Sequence, residues 1–423
     1  MNGLHERAGR LEALQPAGLE VALRLEGAPE LGEALRAAMP GWPLERVPAS
    51  ALASPAASSE TLTAWRSGDG YGQAVPGRSR PRRLPGIATA AGSLIADLIP
   101  CLLDARPHRI GLHCAAVEIE GRLVLFPATH RAGKSLLSAA FAAAGYRVFA
   151  DDVLMLKVDD HDESRGRAMG EALGIAPRLR LPLPAPLPAE LAAFIAAHDR
   201  VADERYGYLT LDRDRLAGHG ERCPLGAIVM LDRVPGTPAP SLTRLSPGEG
   251  LLQLLGQSLS GASHAPGGLL ERLLPIMQDL PCRSLRYDDP MAAVERVVEG
   301  LAEARRDEGA LPLASPAPAS WGRGSAPADG APQAIWRRLP VEAEYPLGEE
   351  HFVVDDQGGV HRLSTVAAGI WRLLGLEALS LAEVVALLAE RFPAVEPARL
   401  HVDAARLFDD LAAAGLIALD IER

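Results

Sequence analysis

The sequence predicts a mixed α/β protein with a phosphate-binding loop, preceded by a small α+β lobe and followed by a compact C-terminal unit. In the centre of the chain, a hydrophobic strand, a loop ending in Gly133-Lys134-Ser135 and an apolar helix follow one another. A stretch dominated by Ala, Pro, Gly and Ser then interrupts all apolar periodicity. A hairpin and helices follow this stretch, with expected N-caps at Ser364 and at a Ser380–Glu383 capping box, and with Gly375 and Gly415 expected beyond the ends of the first and third helices. The expected parts are the lobe (1–90), the α/β P-loop domain (91–306), a flexible linker (307–334) and the C-terminal unit (335–423).

Composition and charge restrict the classes of protein to which the chain can belong. Its 423 residues suffice for two or three domains, and a hydrophobic fraction of 48% supplies a large core. The net charge of -11 argues against a general nucleic-acid binder, which needs a basic face. The cysteines lie far apart without metal-ligand spacing, which predicts free thiols in a reducing compartment. They are Cys101, Cys114, Cys223 and Cys282.

The N-terminal ten residues are polar and charged, so no signal peptide is expected there. The apolar stretch AAGSLIADLIPCLLDA contains two aspartates and a proline and is too short to span a bilayer. These observations predict a cytoplasmic protein without a membrane partner.

The N-terminal lobe alternates apolar runs with turn residues. LEVALRLEG (19–27) alternates like a strand, and ELGEALRAAM (30–39) has helical spacing. Residues 41–62 are expected to be a loop. Residues 66–86, rich in Gly, Arg and Pro, are expected to be a connector or mobile loop. No function is predicted for this lobe.

The α/β domain shows a sharper pattern. GSLIADLIPCLLDA (92–105) predicts an apolar helix, and two strands are expected to meet at Glu120-Gly121. YRVFADDVLML (146–156) predicts one strand, and GAIVMLDRV (226–234) a buried one. Helices are expected over 246–259, where Ser246 and Glu249 form a capping box, and over 291–306.

The loop before the central helix has the residues that hold a triphosphate. Backbone N–H groups at a helix N-terminus bind phosphate, Lys134 would reach the β- and γ-phosphates, and Ser135 would ligate Mg²⁺. Ala128 stands where the usual loop has its first glycine, which is unfavourable only if its φ is positive. His130 and Arg131 add donors, so the candidate nucleotide-binding run is His130 to Leu136. The alternative is a Gly-Lys-Ser turn that closes an ordinary strand–helix unit.

Two adjacent carboxylates follow the helix. Asp151 and Asp152 stand in a hydrophobic strand after it, where a carboxylate can face the metal of a P-loop site. One of them would hold Mg²⁺ and the other would accept a proton from an incoming hydroxyl. His113, one strand earlier, would approach the same phosphates. The alternatives are a solvated turn for the aspartates and a hydrogen-bonded core histidine.

The run from Leu112 to Leu156 resembles the HPr serine kinase/phosphorylase family, which has a phosphoenolpyruvate-carboxykinase-like P-loop fold. The resemblance is carried by His113, Gly133-Lys134-Ser135, the helix-ending Gly145 and Asp151-Asp152. It implies ATP- and Mg²⁺-dependent phosphorylation of a serine or threonine hydroxyl, with Asp152 as the base. Ala128 and Arg131 replace loop glycines. The second signature of the family, with its glutamate, is not recognisable.

The C-terminal unit resembles the PqqD family of winged-helix-like modules, also called RiPP recognition elements. The shared features are a hairpin, Leu363-Ser364 leading into a helix with Ile370-Trp371, and a last helix ending in AGLI. The resemblance implies that a leader peptide adds as a strand to the hairpin and packs on the third helix. The third helix carries three aspartates and one arginine, which disfavours the alternative of DNA recognition. The expected peptide contacts are Phe352, Val353, Val354, Val360, Leu363, Leu407 and Leu411.

Together the two resemblances predict a leader-dependent peptide kinase that acts on a ribosomally made precursor peptide. One alternative is a non-catalytic peptide chaperone for another modifying enzyme. Another is a kinase for a small molecule or carrier protein, with the C-terminal unit serving only in dimerisation. Because HPr kinases are typically hexameric, a homo-oligomer is compatible with this interpretation. The sequence does not identify the peptide or the modified hydroxyl.

Overall fold

The computed structural model describes residues 11–48, 61–75, 78–128, 132–158, 168–198, 201–259, 266–306 and 334–420. The chain divides into two compact units. The first unit combines Met1–Ser263 with Leu280–Ala314, and the second combines His264–Asp279 with Ser315–Arg423. The first unit therefore takes in the expected lobe and the expected P-loop domain apart from the segment 264–279, which belongs with the C-terminal unit. The expected boundaries at residues 90 and 306 stay predictions.

A six-stranded sheet forms the N-terminal part of the first unit, in the order β3-β1-β2-β4-β5-β6. The predicted strand and helix are confirmed as β2 and α1. The predicted connector over 66–86 is wrong, because the chain forms an antiparallel hairpin there and continues into a third strand. Gly72 permits this pairing, since a Cβ on it would lie 2.3 Å from the indole of Trp65. The elements are β1 (Leu11–Pro16), β2 (Ala22–Glu26), α1 (Pro29–Ala38), β3 (Leu44–Arg46), β4 (Thr61–Ser67), β5 (Gly70–Ala74) and β6 (Arg82–Leu84).

A ten-stranded mixed sheet forms the rest of the first unit, with the main order β10-β8-β9-β15-β12-β11-β7-β17. The strands of this part of the chain, most of which belong to this sheet, are β7 (Arg109–Leu112), β8 (Cys114–Ile119), β9 (Arg122–Pro127), β10 (Arg147–Ala150), β11 (Leu154–Lys157), β12 (Met169–Glu171), β13 (Arg178–Arg180), β14 (Tyr206–Tyr208), β15 (Arg222–Arg233), β16 (Ser241–Arg244), β17 (Ser258–Leu259) and β18 (Cys282–Tyr287). Of these, β13 and β14 form a separate two-stranded sheet. The hairpin predicted at Glu120-Gly121 is confirmed, with φ of 50° and 73° at the two turn residues.

The strand predicted over 146–156 is two strands, because the chain turns at Asp151-Asp152. The first, β10, pairs with β8, whereas the second, β11, pairs with β7 and β12. The aspartates thus lie where the chain passes from one side of the sheet to the other. Their position results from strand pairing, which the local hydrophobic pattern does not show.

Helix α5 (Pro247–Gly256) buries Leu251 and Leu254. The other helices of the first unit bury their apolar faces in one continuous core; they are α1, α2 (Ile87–Ala105), α3 (Lys134–Ala143), α4 (Ala189–Ala197) and α7 (Pro290–Arg306). That core includes Leu31 of α1, Leu94 of α2, Phe141 of α3 and Val294 of α7. The predicted Ser246 cap of α5 is confirmed, since its hydroxyl accepts a hydrogen bond from the Glu249 backbone at 3.2 Å.

In the part of the chain that the structure describes, one helix is long and apolar enough to cross a membrane by length and composition alone. Helix α2 has 19 residues and a mean hydropathy of 1.5 over its most apolar window, so it exceeds the length expected for this stretch. Ten of its residues are buried in the protein, among them Leu94, Leu98 and Leu102. Such burial is what the central helix of a folded domain shows.

The described part of the second unit contains two three-stranded sheets and four helices. Its elements are α6 (Pro266–Asp279), β19 (Ile335–Arg338), β20 (Ala343–Leu347), β21 (Glu350–Val354), β22 (Val360–Leu363), α8 (Thr365–Leu376), β23 (Leu379–Ser380), α9 (Leu381–Arg391), α10 (Pro397–Ala413) and β24 (Ile417–Leu419). The sheets have the orders β23-β19-β24 and β20-β21-β22. The packing core is formed by the indole of Trp371 together with Phe408, Leu374 and Leu411.

The predicted caps in this unit are confirmed. The Ser364 hydroxyl accepts from Ala367, and Ser380 and Glu383 form a reciprocal capping box. Gly415 follows α10 with a φ of 69°, as expected for a helix stop. Gly375 does not lie beyond α8, because that helix continues to Leu376.

Candidate functional site

The loop that enters α3 has the geometry of an anion-binding helix N-terminus. Gly133 is the N-cap residue, with φ 88° and ψ 12°, which only glycine adopts at low cost. A Cβ at this position would lie 2.9 Å from the Tyr287 hydroxyl. That hydroxyl donates to the Ala132 carbonyl at 3.2 Å and so fixes the end of the loop. Gly133 has no side chain to cap the helix, so no N-cap hydrogen bond occupies the first-turn N–H groups of α3, which can donate to an anion.

Alanine fits at position 128 without backbone strain. Among the described non-glycine residues only Glu120 has a positive φ, so Ala128 lies outside the left-handed region. Its side chain is 2% exposed, and its carbonyl accepts a hydrogen bond from Lys134 Nζ at 2.7 Å. The departure from the usual glycine thus carries no left-handed penalty. His130 and Arg131 lie outside the described residues.

Lys134 is a buried cation at the start of α3. Its side chain is buried at 9% residue exposure, and this desolvation lowers the pKa of the ammonium. The negative charges of Asp152 and Asp151 oppose that decrease. A phosphate bound at the helix N-terminus would act in the same direction as these carboxylates and hold Lys134 in its charged form.

Asp152 and His113 form a hydrogen-bonded pair. His113 Nε2 lies 2.9 Å from Asp152 Oδ1, and His113 Nδ1 lies 3.0 Å from the Gln257 side-chain carbonyl. The His113 backbone N–H also donates to the Gln257 backbone carbonyl at 2.8 Å. Gln257, which follows α5, thus orients the imidazole. Sequence reasoning missed it because the contact spans 144 residues.

Asp152 combines accessibility with a stabilised charge. Its side chain is 52% exposed. Burial alone would raise the pKa of Asp152, but the His113 hydrogen bond and the positive charges of Arg178, His113 and Lys134 hold it below its ordinary value. The carboxylate is therefore ionised at neutral pH and can accept a hydrogen bond from an incoming hydroxyl.

Asp151 has the opposite environment. Its residue exposure is 5%, and burial raises the pKa of Asp151 to about 6, with the Asp152 charge adding to the rise. The Arg178 backbone N–H, which donates to Asp151 Oδ2 at 2.9 Å, limits this rise, as does the nearby Ser135 hydroxyl. Among the described residues, none forms a hydrogen bond with the buried Asp151 Oδ1. Such an orphaned oxygen is what a cation ligand looks like in the absence of its ion.

The residues present fit a magnesium ion that is held jointly by protein and nucleotide. The described residues contain no group of three or more His, Cys, Asp or Glu side chains that could hold a metal alone. Mg²⁺ typically takes one or two carboxylates and completes its shell with substrate phosphates and water. Asp151 Oδ1 and the Ser135 hydroxyl are the protein ligands that this site offers.

Glu171 on β12 is engaged by three arginines. Its carboxylate is 2% exposed and receives Arg106 at 2.8 Å, Arg109 at 3.3 Å and Arg222 at 2.8 Å. These three guanidiniums explain why a buried glutamate is tolerated on β12. The cluster is structural and does not touch Asp151 or Asp152.

The candidate peptide-binding residues lie on and behind the β20-β21-β22 sheet. Strand β21 occupies its centre, so β22 forms one edge of this sheet as the structure describes it. A peptide added as a strand would meet the backbone of that edge. The side chains of Phe352, Val353, Val354, Leu363 and Leu411 are buried, whereas those of Val360 and Leu407 are partly exposed. Direct side-chain contact is thus available mainly at the last two.

Comparisons with known proteins concern the two units separately. No curated protein matches the chain. Among solved structures, the Hpr(Ser) kinase/phosphatase from Coxiella burnetii is similar at 14% identity and a TM-score of 0.24, covering 47% of this chain and 97% of its own. Residues 350–417 match the family model described as coenzyme PQQ synthesis protein D (PqqD). The C-terminal part of the chain therefore carries a PqqD domain.

Proposed function

We propose that this chain is an ATP- and Mg²⁺-dependent kinase that phosphorylates a serine or threonine hydroxyl of a ribosomally made precursor peptide. The observation that carries the proposal is the convergence of three features. They are the open N-terminus of α3, the buried Lys134 beside it, and the accessible carboxylate of Asp152 held by His113. Phosphoryl transfer needs little more from a protein than positioning and charge stabilisation.

In this proposal each side chain has one task. The α3 N–H groups and Lys134 bind the phosphates, and Asp152 accepts the proton of the attacking hydroxyl. As that oxygen bonds to the γ-phosphorus, the bond to the ADP oxygen breaks and ADP leaves with the electron pair. Asp151 and Ser135 would hold magnesium, which would supply charge neutralisation on the phosphates. His113 keeps Asp152 oriented through the 2.9 Å hydrogen bond.

The PqqD domain supports a peptide as the substrate. A leader that binds the edge of β22 would raise the local concentration of its own core peptide at the kinase site. The active site itself then needs little sequence selectivity.

The test uses the full chain with Mg·ATP and the peptide encoded by a short reading frame beside its gene. Mass spectrometry is expected to show the gain of one phosphoryl group on a serine or threonine, with equimolar ADP. Lys134→Ala is the control and should bind the peptide without modifying it. If the wild-type chain binds both ATP and the peptide but leaves the peptide mass unchanged, the transferase proposal is wrong.

A further inference from the structure

Arg178 enters the candidate site from a part of the fold that the sequence did not connect with it. It begins β13, in the two-stranded sheet formed with β14. Its backbone N–H donates to Asp151 Oδ2 at 2.9 Å. This bond holds the Arg178 backbone beside the aspartate pair. The side chain of Arg178 therefore extends from a backbone position inside the candidate site.

The guanidinium of Arg178 is held in place by aromatic side chains of β14. Its central carbon lies 4.9 Å from the centre of the Tyr206 ring, in cation–π geometry. Tyr208, the direct cross-strand partner of Arg178, is hydrogen-bonded to its side chain. Two contacts of this kind restrict the rotamers of a long side chain before any ligand arrives.

Helix α2 leaves space for the guanidinium at Gly92. A Cβ on this residue would lie 2.6 Å from Arg178 Nη1 and 3.0 Å from the Tyr208 hydroxyl. Glycine is otherwise unfavourable inside a helix by about 1 kcal/mol relative to alanine. The position of the guanidinium therefore requires a small residue in the middle of α2.

The guanidinium lies close to Asp152 without neutralising it by a direct bond. The distance from Arg178 Nη2 to Asp152 Oδ2 is 3.9 Å, longer than a direct hydrogen bond. The Arg178 side chain is 32% exposed. A phosphoryl group attacked by a hydroxyl that Asp152 deprotonates must lie next to that carboxylate, within reach of the same guanidinium.

We propose that Arg178 is a catalytic residue that donates hydrogen bonds to the transferring γ-phosphoryl group. This inference rests on the proposed kinase function and adds to it the residue that stabilises the charge developing on the phosphoryl oxygens. Arginine suits this task because its planar donors match phosphate oxygens and it stays charged at every working pH. Lys134 acts on the same phosphate from the α3 side.

The test compares nucleotides that differ only in the γ-phosphate. Calorimetry with magnesium measures the affinities for ADP and for an ATP analogue with nitrogen bridging the β- and γ-phosphates. Arg178→Gln is expected to weaken binding of the analogue by about 10- to 100-fold, the loss of a charge-assisted hydrogen bond. ADP affinity should be unchanged. Arg180→Gln, an exposed arginine on the same strand, is the matched control and should alter neither.

A second variant separates the contact from the loss of charge or of folding. Gly92→Ala keeps Arg178 and its charge but displaces the guanidinium, and should weaken binding of the analogue selectively. A circular-dichroism melt checks that each variant is folded. If a folded Arg178→Gln or Gly92→Ala chain binds the analogue as tightly as the wild type does, Arg178 does not contact the γ-phosphoryl group. If the wild-type chain nevertheless transfers phosphate to the peptide, only the inference about Arg178 has failed. If the wild-type chain transfers none, the kinase proposal is overturned as well.

Discussion

Replacing Asp151 with asparagine should make the metal-free protein more stable above neutral pH. The wild-type carboxyl is 5% exposed, and one of its oxygens has no hydrogen-bond partner among the described residues. Asparagine keeps an acceptor for the Arg178 backbone N–H and carries no charge to bury. Asp151→Asn should also abolish magnesium-dependent transfer, because it removes the anionic ligand. Stability and activity would thus change in opposite directions.

The magnitude follows from the pKa of Asp151, which burial raises to about 6 from an ordinary value of 3.8. Such a rise corresponds to about 3 kcal/mol between the two protonation states. The folded protein holds this proton more tightly than the unfolded chain does. The protonated Asp151 carboxyl therefore stabilises the folded protein fully below its pKa in the unfolded chain. This stabilisation is lost as pH rises through its pKa in the folded protein. At pH 5 about half of it remains, so Asp151→Asn should gain roughly 1–2 kcal/mol on the wild type between pH 5 and pH 8.

The assay is urea unfolding of both proteins with a chelator present, followed by circular dichroism at several pH values. Asp152→Asn provides a control of opposite sign, because the pKa of Asp152 is lowered and its contribution is lost as pH falls. If the difference in free energy of unfolding between Asp151→Asn and wild type stays constant from pH 5 to pH 8, the assigned environment of Asp151 is refuted.

Three further variants test the other parts of the site. Lys134→Ala should abolish phosphoryl transfer while leaving peptide binding unchanged, which fluorescence anisotropy of a labelled peptide can measure; loss of peptide binding would contradict the separation of the two tasks. Asp152→Asn should retain ATP affinity and lower kcat by about 10²- to 10⁴-fold, the usual contribution of a general base, and normal turnover would remove Asp152 from that role. Gly133→Ala should lower the free energy of unfolding by about 1–2 kcal/mol from its positive φ alone. The Tyr287 contact should lower the free energy of unfolding further, so the loss for Gly133→Ala should exceed the loss for Gly145→Ala. Gly145 has the same φ of 88° but no atom within 4 Å of an added Cβ.

Local patterns in the sequence predicted the elements whose conformation depends on neighbouring residues. The hairpin at Glu120-Gly121 and the caps at Ser246, Ser364 and Ser380 were confirmed. Each of these signals acts within a few residues, so no tertiary contact can override it easily. That Lys134 and the aspartates form one functional site stays a prediction; it used the same kind of local signal in part, because the strand, loop and helix around Lys134 are consecutive.

Features that depend on distant contacts were not predictable in this way. The hairpin of β4 and β5 has the composition of a loop, and its pairing depends on the parallel addition of β4 to β2. The turn at Asp151-Asp152 follows from strands that pair on opposite sides of it. Arg178 reaches the site only because β13 pairs with β14, and Gln257 only because its backbone carbonyl binds His113. No short-range period signals any of these contacts.

The central claim is that the N-terminus of α3 binds nucleotide although residue 128 is alanine. Isothermal titration of the full chain with Mg·ATP tests it most directly, with Lys134→Ala as the matched variant. We predict saturable binding to the wild-type chain that is lost in Lys134→Ala. A wild-type chain that gives no binding heat with ATP or ADP, with or without magnesium, would contradict the claim.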